Sequence, residues 1–271
     1  MRPLLSEFTY GYGLTEELFR YYLPPLVAVP LFPSLRQEGQ PGGGYDLRLD
    51  CPGIVLFLQF KLSDGMVYRN AAEVHQGIMT VPFFRMHLRA KRISNQHDML
   101  ISLENSGETV YYVAPLFHKD TEMNCAYLSR SVFQQSRLFS PSGIGCLPDD
   151  NDHHVAFRST GASYLCSEPK EIKMFSPEAV LQQINSQSVS LAMTEKPSLE
   201  EALRNARRHM LEILRRSRII EGNDDSELAR QLPNFPQDIA SQVSYLAITF
   251  FDCATIPIIR LPSQDGTEAS E

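Results

Sequence analysis

The run from Gly44 to Lys61, G-Y-D-L-R-L-D-C-P-G-I-V-L-F-L-Q-F-K, constrains the fold of this chain more than any other segment. Ile54-Val55-Leu56-Phe57-Leu58 reads as a strongly apolar strand, yet it finishes in Gln59-Phe60-Lys61. Packing alone gives no reason for an amide and an ammonium at that end. Side chains alternate along a strand, so Gln59 and Lys61 share a face roughly 6 to 7 Å apart while Phe60 points the other way. Cys51-Pro52-Gly53-Ile54 sets Pro and Gly at the two central positions of a β-turn, where Pro fixes φ and Gly accepts a positive φ. With Pro52-Gly53 as a hairpin loop, Cys51 faces Ile54 and Asp46 faces Gln59. A carboxylate, an amide oxygen and an ammonium then converge, whereas a slip of one residue turns Asp46 to the opposite face.

Such a trio has a chemical use. Oxygen ligands from two neighbouring strands can hold Mg²⁺ or Mn²⁺, the metal polarises a phosphoryl oxygen or activates water, and lysine supplies a compact positive charge. On these residues the chain resembles the PD-(D/E)xK, or restriction-endonuclease-like, nuclease superfamily, over roughly residues 10 to 120. Asp46 matches the first acidic position, Gln59 the second and Lys61 the lysine, with Tyr45 where the motif name has proline. Glutamine at the second position resembles the variant of a transposon-end-cleaving nuclease.

The resemblance implies metal-dependent cleavage of DNA or RNA phosphodiester bonds, in a setting of microbial defence or a mobile element. It implies Asp46 and Gln59 as ligands to Mg²⁺ (or Mn²⁺), Lys61 as the residue that orients the attacking water, and Glu17 as a further acidic residue from a preceding helix, with Glu38 in reserve. Because Gln59 removes a charge from the metal site, a second reading stands beside it: a catalytically inactive protein of the same fold acting as a binding or scaffold module. In a third, Asp46 and Lys61 belong to an α/β protein in which they never meet.

Composition sets outer bounds. A formal net charge of −7 argues against bulk electrostatic binding of nucleic acid, so a nucleic-acid partner requires a local basic channel. One such face lies on a helix expected over Leu199–Ile220, where Ser198 and Glu201 make a capping box and Arg204, Arg208 and Arg215 stand among the residues opposite the apolar face. A solvated face and a partner-binding helix are the competing uses. The cysteines, Cys51, Cys125, Cys146, Cys166 and Cys253, contain no CxxC pair and read as free thiols. No run approaches the ~18 apolar residues of a membrane span, and the expected location is cytoplasmic. A protein partner or homo-oligomer stays open.

The expected fold class is α/β, a restriction-endonuclease-like mixed sheet flanked by helices over residues 1–176. A mostly helical C-terminal segment, 177–262, is expected to pack on that core, and 263–271 to form a disordered tail. Within the core we expect a helix over Thr15–Tyr22, a turn at Leu62–Gly65, a short helix around Glu73, strands at Met99–Leu103 and Thr109–Ala114, and a helix over Glu122–Leu138. His153–Phe157 and Ser163–Cys166 read as a hairpin in which His153 and His154 face opposite ways. The tract Pro148–Asp152 lacks Ca²⁺-loop spacing.

Overall fold

The structure is a computed structural model and describes residues 1–22, 53–166, 169–190, 198–222, 225–232 and 235–259. Strand β1 (Gly53–Phe60) forms where expected. It lies within a five-stranded mixed sheet of order β10 (Ala254–Ile259), β1, β4 (Thr109–Pro115), β5 (Ser136–Phe139) and β9 (Met174–Phe175). β1 pairs antiparallel with β10, from Gly53 opposite Ile259 to Leu58 opposite Ala254. On its other edge it pairs parallel with β4, from Leu56 opposite Thr109 to Phe60 opposite Val113.

Both edges of β1 are thus occupied over Leu56–Leu58, by β10 and β4. The partner strand comes from the far end of the chain, and local sequence reasoning pairs neighbours. Asp46 and Glu38 lie outside the described residues, as does the tail expected at 263–271.

Alternation along β1 feeds two cores. Leu56 and Leu58 pack with Tyr111, Val113 and Ile256 against α1 (Glu7–Glu17), α4 (Asp120–Leu128) and α6 (Pro177–Ser190). Val55 and Phe57 face the other way, towards α3 (Gln96–Asn105), α7 (Leu199–Arg216) and α9 (Ile239–Leu246). That second core continues into an antiparallel sheet of order β2 (Ser63–Met66), β3 (Phe83–Leu88), β6 (His153–Phe157), β7 (Ser163–Leu165) and β8 (Lys170–Ile172), through Met86, Leu88, Val155 and Phe157. The chain is therefore α/β with one mixed and one antiparallel sheet flanked by helices.

Helix α1 begins well before the expected Thr15, because Ser6 caps it by accepting from the Thr9 amide at 3.0 Å. Gly11 lets it approach β1 closely, since a Cβ there would stand 3.0 Å from the Phe60 ring. Tyr10 packs edge-on against Phe60 and donates to Ser136 Oγ at 2.7 Å, which ties α1 to β5.

Several other expectations are corrected. Met99–Leu103 is helical: Gln96, Met99, Leu100 and Leu103 bury one face at helical spacing, and a short apolar run reads alike as strand or helix. Ser63–Gly65 belongs to β2 rather than a turn. The helix expected over Glu122–Leu138 stops at Leu128, and Ser136–Leu138 enters β5.

The boundary expected near residue 176 does not separate a core from an addition. β10 is an edge strand of the main sheet, and α7, with its Ser198–Glu201 capping box, packs on β1. Helices do dominate the segment, including α8 (Asp225–Gln231), but its strand completes the sheet. Two outcomes follow. Ile256→Ala, at a site with no exposure, should cost about 2–5 kcal/mol in urea unfolding. A fragment ending at residue 176 should show no cooperative unfolding transition, whereas a true C-terminal addition would leave one intact.

Candidate functional site

The polar end of β1 is built from five segments. Gln59 faces the second core side of the sheet and is buried. Its Oε1 accepts from Gln96 Nε2 at 2.9 Å at the start of α3, and its Nε2 donates to Asp252 Oδ2 at 3.3 Å. Gln96 also donates to the Phe251 carbonyl at 3.1 Å. Phe251 closes a π-helical turn, Ala247–Phe251, and Asp252 follows in the left-handed conformation (φ 53°) before the chain enters β10. Aspartate tolerates that conformation better than most residues, and such π turns recur at functional sites. Arg89, beyond β3, makes an ion pair with Asp252 Oδ2 at 3.3 Å.

Lys61 continues the line. Its backbone N–H donates to Val113 O at 2.9 Å, so the chain is still held to β4 one residue past the strand. The side chain is only 5% exposed, yet among the described residues its ammonium makes no hydrogen bond or ion pair. Burial pushes its pKa below the ordinary lysine range, against the pull of Glu7 and Asp252, with Arg89 adding to the depression. Glu7, in the first turn of α1, has its carboxyl raised by the protein packed around it, although its side chain reaches solvent; Lys61 draws it back.

The valences left open are specific. Asp252 Oδ1 and both Glu7 oxygens make no hydrogen bond among the described residues, and one lone pair of Gln59 Oε1 is uncommitted. All are hard oxygen donors, the ligand type that suits Mg²⁺ or Mn²⁺. By donor type Glu7, Gln59 and Asp252 suit such an ion, and Glu7 lies within the electrostatic field of Lys61 and Asp252.

Of the expected residues, Gln59 and Lys61 meet here, and Asp46 lies outside the described residues. Glu17 is buried, and its carboxylate accepts from the Val132 amide at 2.7 Å and the Phe133 amide at 3.4 Å. It anchors α1 to the turn before β5; burial raises its pKa against those two bonds. Sequence reasoning missed Glu7 and Asp252. The capping serine before Glu7 was a legible helix-start signal; nothing local marks Asp252, which reaches Gln59 only because β10 joins the sheet. On α7, Arg204 pairs with Glu200, Arg208 with Glu212 at 3.9 Å, and Arg215 donates to Gly222 O at 2.7 Å.

A second polar cluster lies on the outer face of the antiparallel sheet, where Glu73, on α2 (Ala72–His75), meets Arg85, His154 and Cys166. Burial works to raise the Glu73 carboxyl, but hydrogen bonds from Arg85 and His154 hold it at about 2. Burial, with the Glu73 charge, pushes the Cys166 thiol up to about 12.

Comparison of the chain with protein-family models, curated proteins and solved structures finds no match.

A base whose folded-state pKa lies below its unfolded value holds fewer protons when folded. Lys61 therefore lowers stability at neutral pH, and the penalty fades as pH rises towards 10.5. Lys61→Met should be more stable than the parent in urea at pH 7, with a difference that shrinks in alkaline buffer. Equal or lower stability of the variant at pH 7 would mean that Lys61 carries no such penalty.

Proposed function

We propose that the chain is a divalent-metal-dependent nuclease of restriction-endonuclease-like architecture that hydrolyses phosphodiester bonds of nucleic acid at the end of β1. The observation that carries this reading is Lys61, almost wholly buried as a residue and with no hydrogen bond or ion pair to its ammonium among the described residues, near Gln59 and in the field of the Glu7 and Asp252 carboxylates. A buried charge without a partner is costly and is retained where a ligand completes it. A phosphodiester brings the matching negative charge.

In this reading Lys61 meets a non-bridging phosphate oxygen or holds the attacking water, and its charge grows in value as the pentacovalent phosphorus gathers negative charge. Glu7, Asp252 and the Gln59 oxygen, with Asp46 as the further ligand the motif implies, would hold Mg²⁺, which supplies charge neutralisation at the phosphoryl oxygen and a more acidic water. Arg89 keeps Asp252 turned towards Gln59. Gln96 fixes the Gln59 amide so that its remaining lone pair has one direction. Arg204, Arg208 and Arg215 are the candidate phosphate contacts away from the site. Microbial defence or a mobile element is the setting the resemblance implies.

One observation favours the alternative, a non-catalytic protein of the same fold. The Gln59 amide already has partners on both its oxygen and its nitrogen, as a purely structural amide would.

The test is nicking of supercoiled plasmid and of single-stranded RNA in Mg²⁺ or Mn²⁺. Lys61→Ala, Asp252→Asn and Asp46→Ala should each lose about 10²-fold or more in rate while keeping the parent's circular dichroism. Gln59→Glu should keep activity and bind Mn²⁺ more tightly. Cleavage unchanged in Lys61→Ala would remove the nuclease assignment; no cleavage by the parent, with no gain in Mn²⁺ affinity in Gln59→Glu, would favour the binding module.

A further inference from the structure

The outer face of the antiparallel sheet holds a donor set different in kind from that at Lys61. β6 and β7 run side by side there, and the Cys166 amide donates to the His154 carbonyl at 3.0 Å, which sets these two residues opposite each other just beyond β7. Directly opposed residues share a face with Cβ atoms about 4.5–5.5 Å apart, a spacing from which thiolate and imidazole can reach one ion. α2 lies over that face and brings Glu73, whose Oε1 is 2.7 Å from His154 Nε2. One ligand atom of each of the three residues lies within 4.8 Å of the other two.

We propose that Glu73, His154 and Cys166 form a binding site for a borderline-soft divalent cation of the zinc type, which staples α2 to the second sheet. A thiolate selects against Mg²⁺ and Ca²⁺, while sulfur, imidazole nitrogen and carboxylate oxygen together make a mixed set that Zn²⁺ accepts. Three protein ligands leave the fourth position of a tetrahedron to water. Binding releases the Cys166 thiol proton to solvent, shifts the His154 ring proton from Nε2 to Nδ1, and replaces the bond that Nε2–H donates to Glu73 with two bonds to the cation. The thiol is lightly held beforehand, donating to the Tyr164 carbonyl at 3.4 Å.

Arg85 is compatible with this site. Its Nε donates to Glu73 Oε1 at 2.6 Å and its Nη2 to Oε2. These bonds use one lone pair of each oxygen, and the other lone pair of Oε1 is the one already directed at His154 Nε2. A ligating carboxylate held by such an outer partner is the usual arrangement. Arg85 then orients Glu73 and keeps its charge balanced whether or not a cation is present.

The packing around α2 gives the staple a purpose. The helix spans only Ala72–His75, too short to hold itself, and among the described residues the apolar cluster beneath it buries Ala71, Met79, Phe83, Ala156 and Cys166. A bond from residue 73 to residues 154 and 166 ties three segments far apart in sequence.

The test uses the full chain with Co²⁺ as the spectroscopic probe and Zn²⁺ as competitor, with no readout from cleavage. The parent should bind one Co²⁺ per chain with a thiolate-to-metal charge-transfer band in the near ultraviolet and the visible bands of a tetrahedral ion. Zn²⁺ should abolish both. His154→Ala and Cys166→Ser should lose the charge-transfer band while keeping the parent's circular dichroism, and Zn²⁺ should raise the Tm of the parent but not of Cys166→Ser. A parent with no charge-transfer band overturns the proposal, whether or not the variants fold, and leaves a hydrogen-bonded cluster around Glu73. A band that persists in Cys166→Ser overturns it too, because the thiolate would then come from another cysteine.

Discussion

Everything at the candidate site depends on the enclosure of β1. Its two edges are held by β10 and β4, and its two faces by α1 on one side and α3 and α7 on the other. A strand walled on four sides must be apolar along its length, and Val55 to Leu58 are buried accordingly. The burial persists past the end of the β10 pairing, where the sequence turns polar. Gln59 and Lys61 are therefore buried as well, and the amide and the ammonium have to find partners within the protein or from a ligand. Gln59 finds Gln96 and Asp252, and Lys61 has no hydrogen bond or ion pair among the described residues. That asymmetry separates a packed polar residue from one poised for something else.

The sequence made β1 and its polar end legible because the signal is local: an apolar run, alternation and two misplaced polar residues. The Ser198–Glu201 box and the helix after it were legible for the same reason, as was the hairpin of β6 and β7. What could not be read was long-range. β10 pairs with β1 across most of the chain, so the C-terminal segment, expected to pack on the core as helices, also supplies a strand of the main sheet. Asp252 entered the site by that route. Glu17 was the natural acidic candidate in a short helix starting at Thr15, but the helix starts at Glu7 behind the Ser6 cap, and that shift gives Glu7 to the site and Glu17 to the Val132 and Phe133 amides. The helix α3 shows the limit of periodicity: Met99–Leu103 is too short to distinguish a strand from a helix by pattern.

The two polar clusters differ in the chemistry they suit. At the end of β1 the open donors are carboxylate and amide oxygens beside a cation, on a platform fixed by the main sheet. On the second sheet they are a thiol, an imidazole and a carboxylate, under a short helix with little apolar support. Hard ions belong to the first set and borderline ions to the second, so the proposed catalytic and structural roles would not compete for one metal. His154 illustrates how burial and neighbours set such roles: burial lowers its pKa, and the Glu73 hydrogen bond pulls it back.

The claim on which the account rests is that Lys61 is a largely buried lysine whose ammonium has no hydrogen bond or ion pair among the described residues. The most direct measurement is the titration of its side-chain ¹⁵Nζ and ¹³Cε resonances by NMR in the intact chain, assigned with Lys61→Met. The account requires a pKa below the ordinary lysine range that rises when a phosphodiester analogue binds. A Lys61 that titrates as a free lysine and does not respond to the analogue would contradict it.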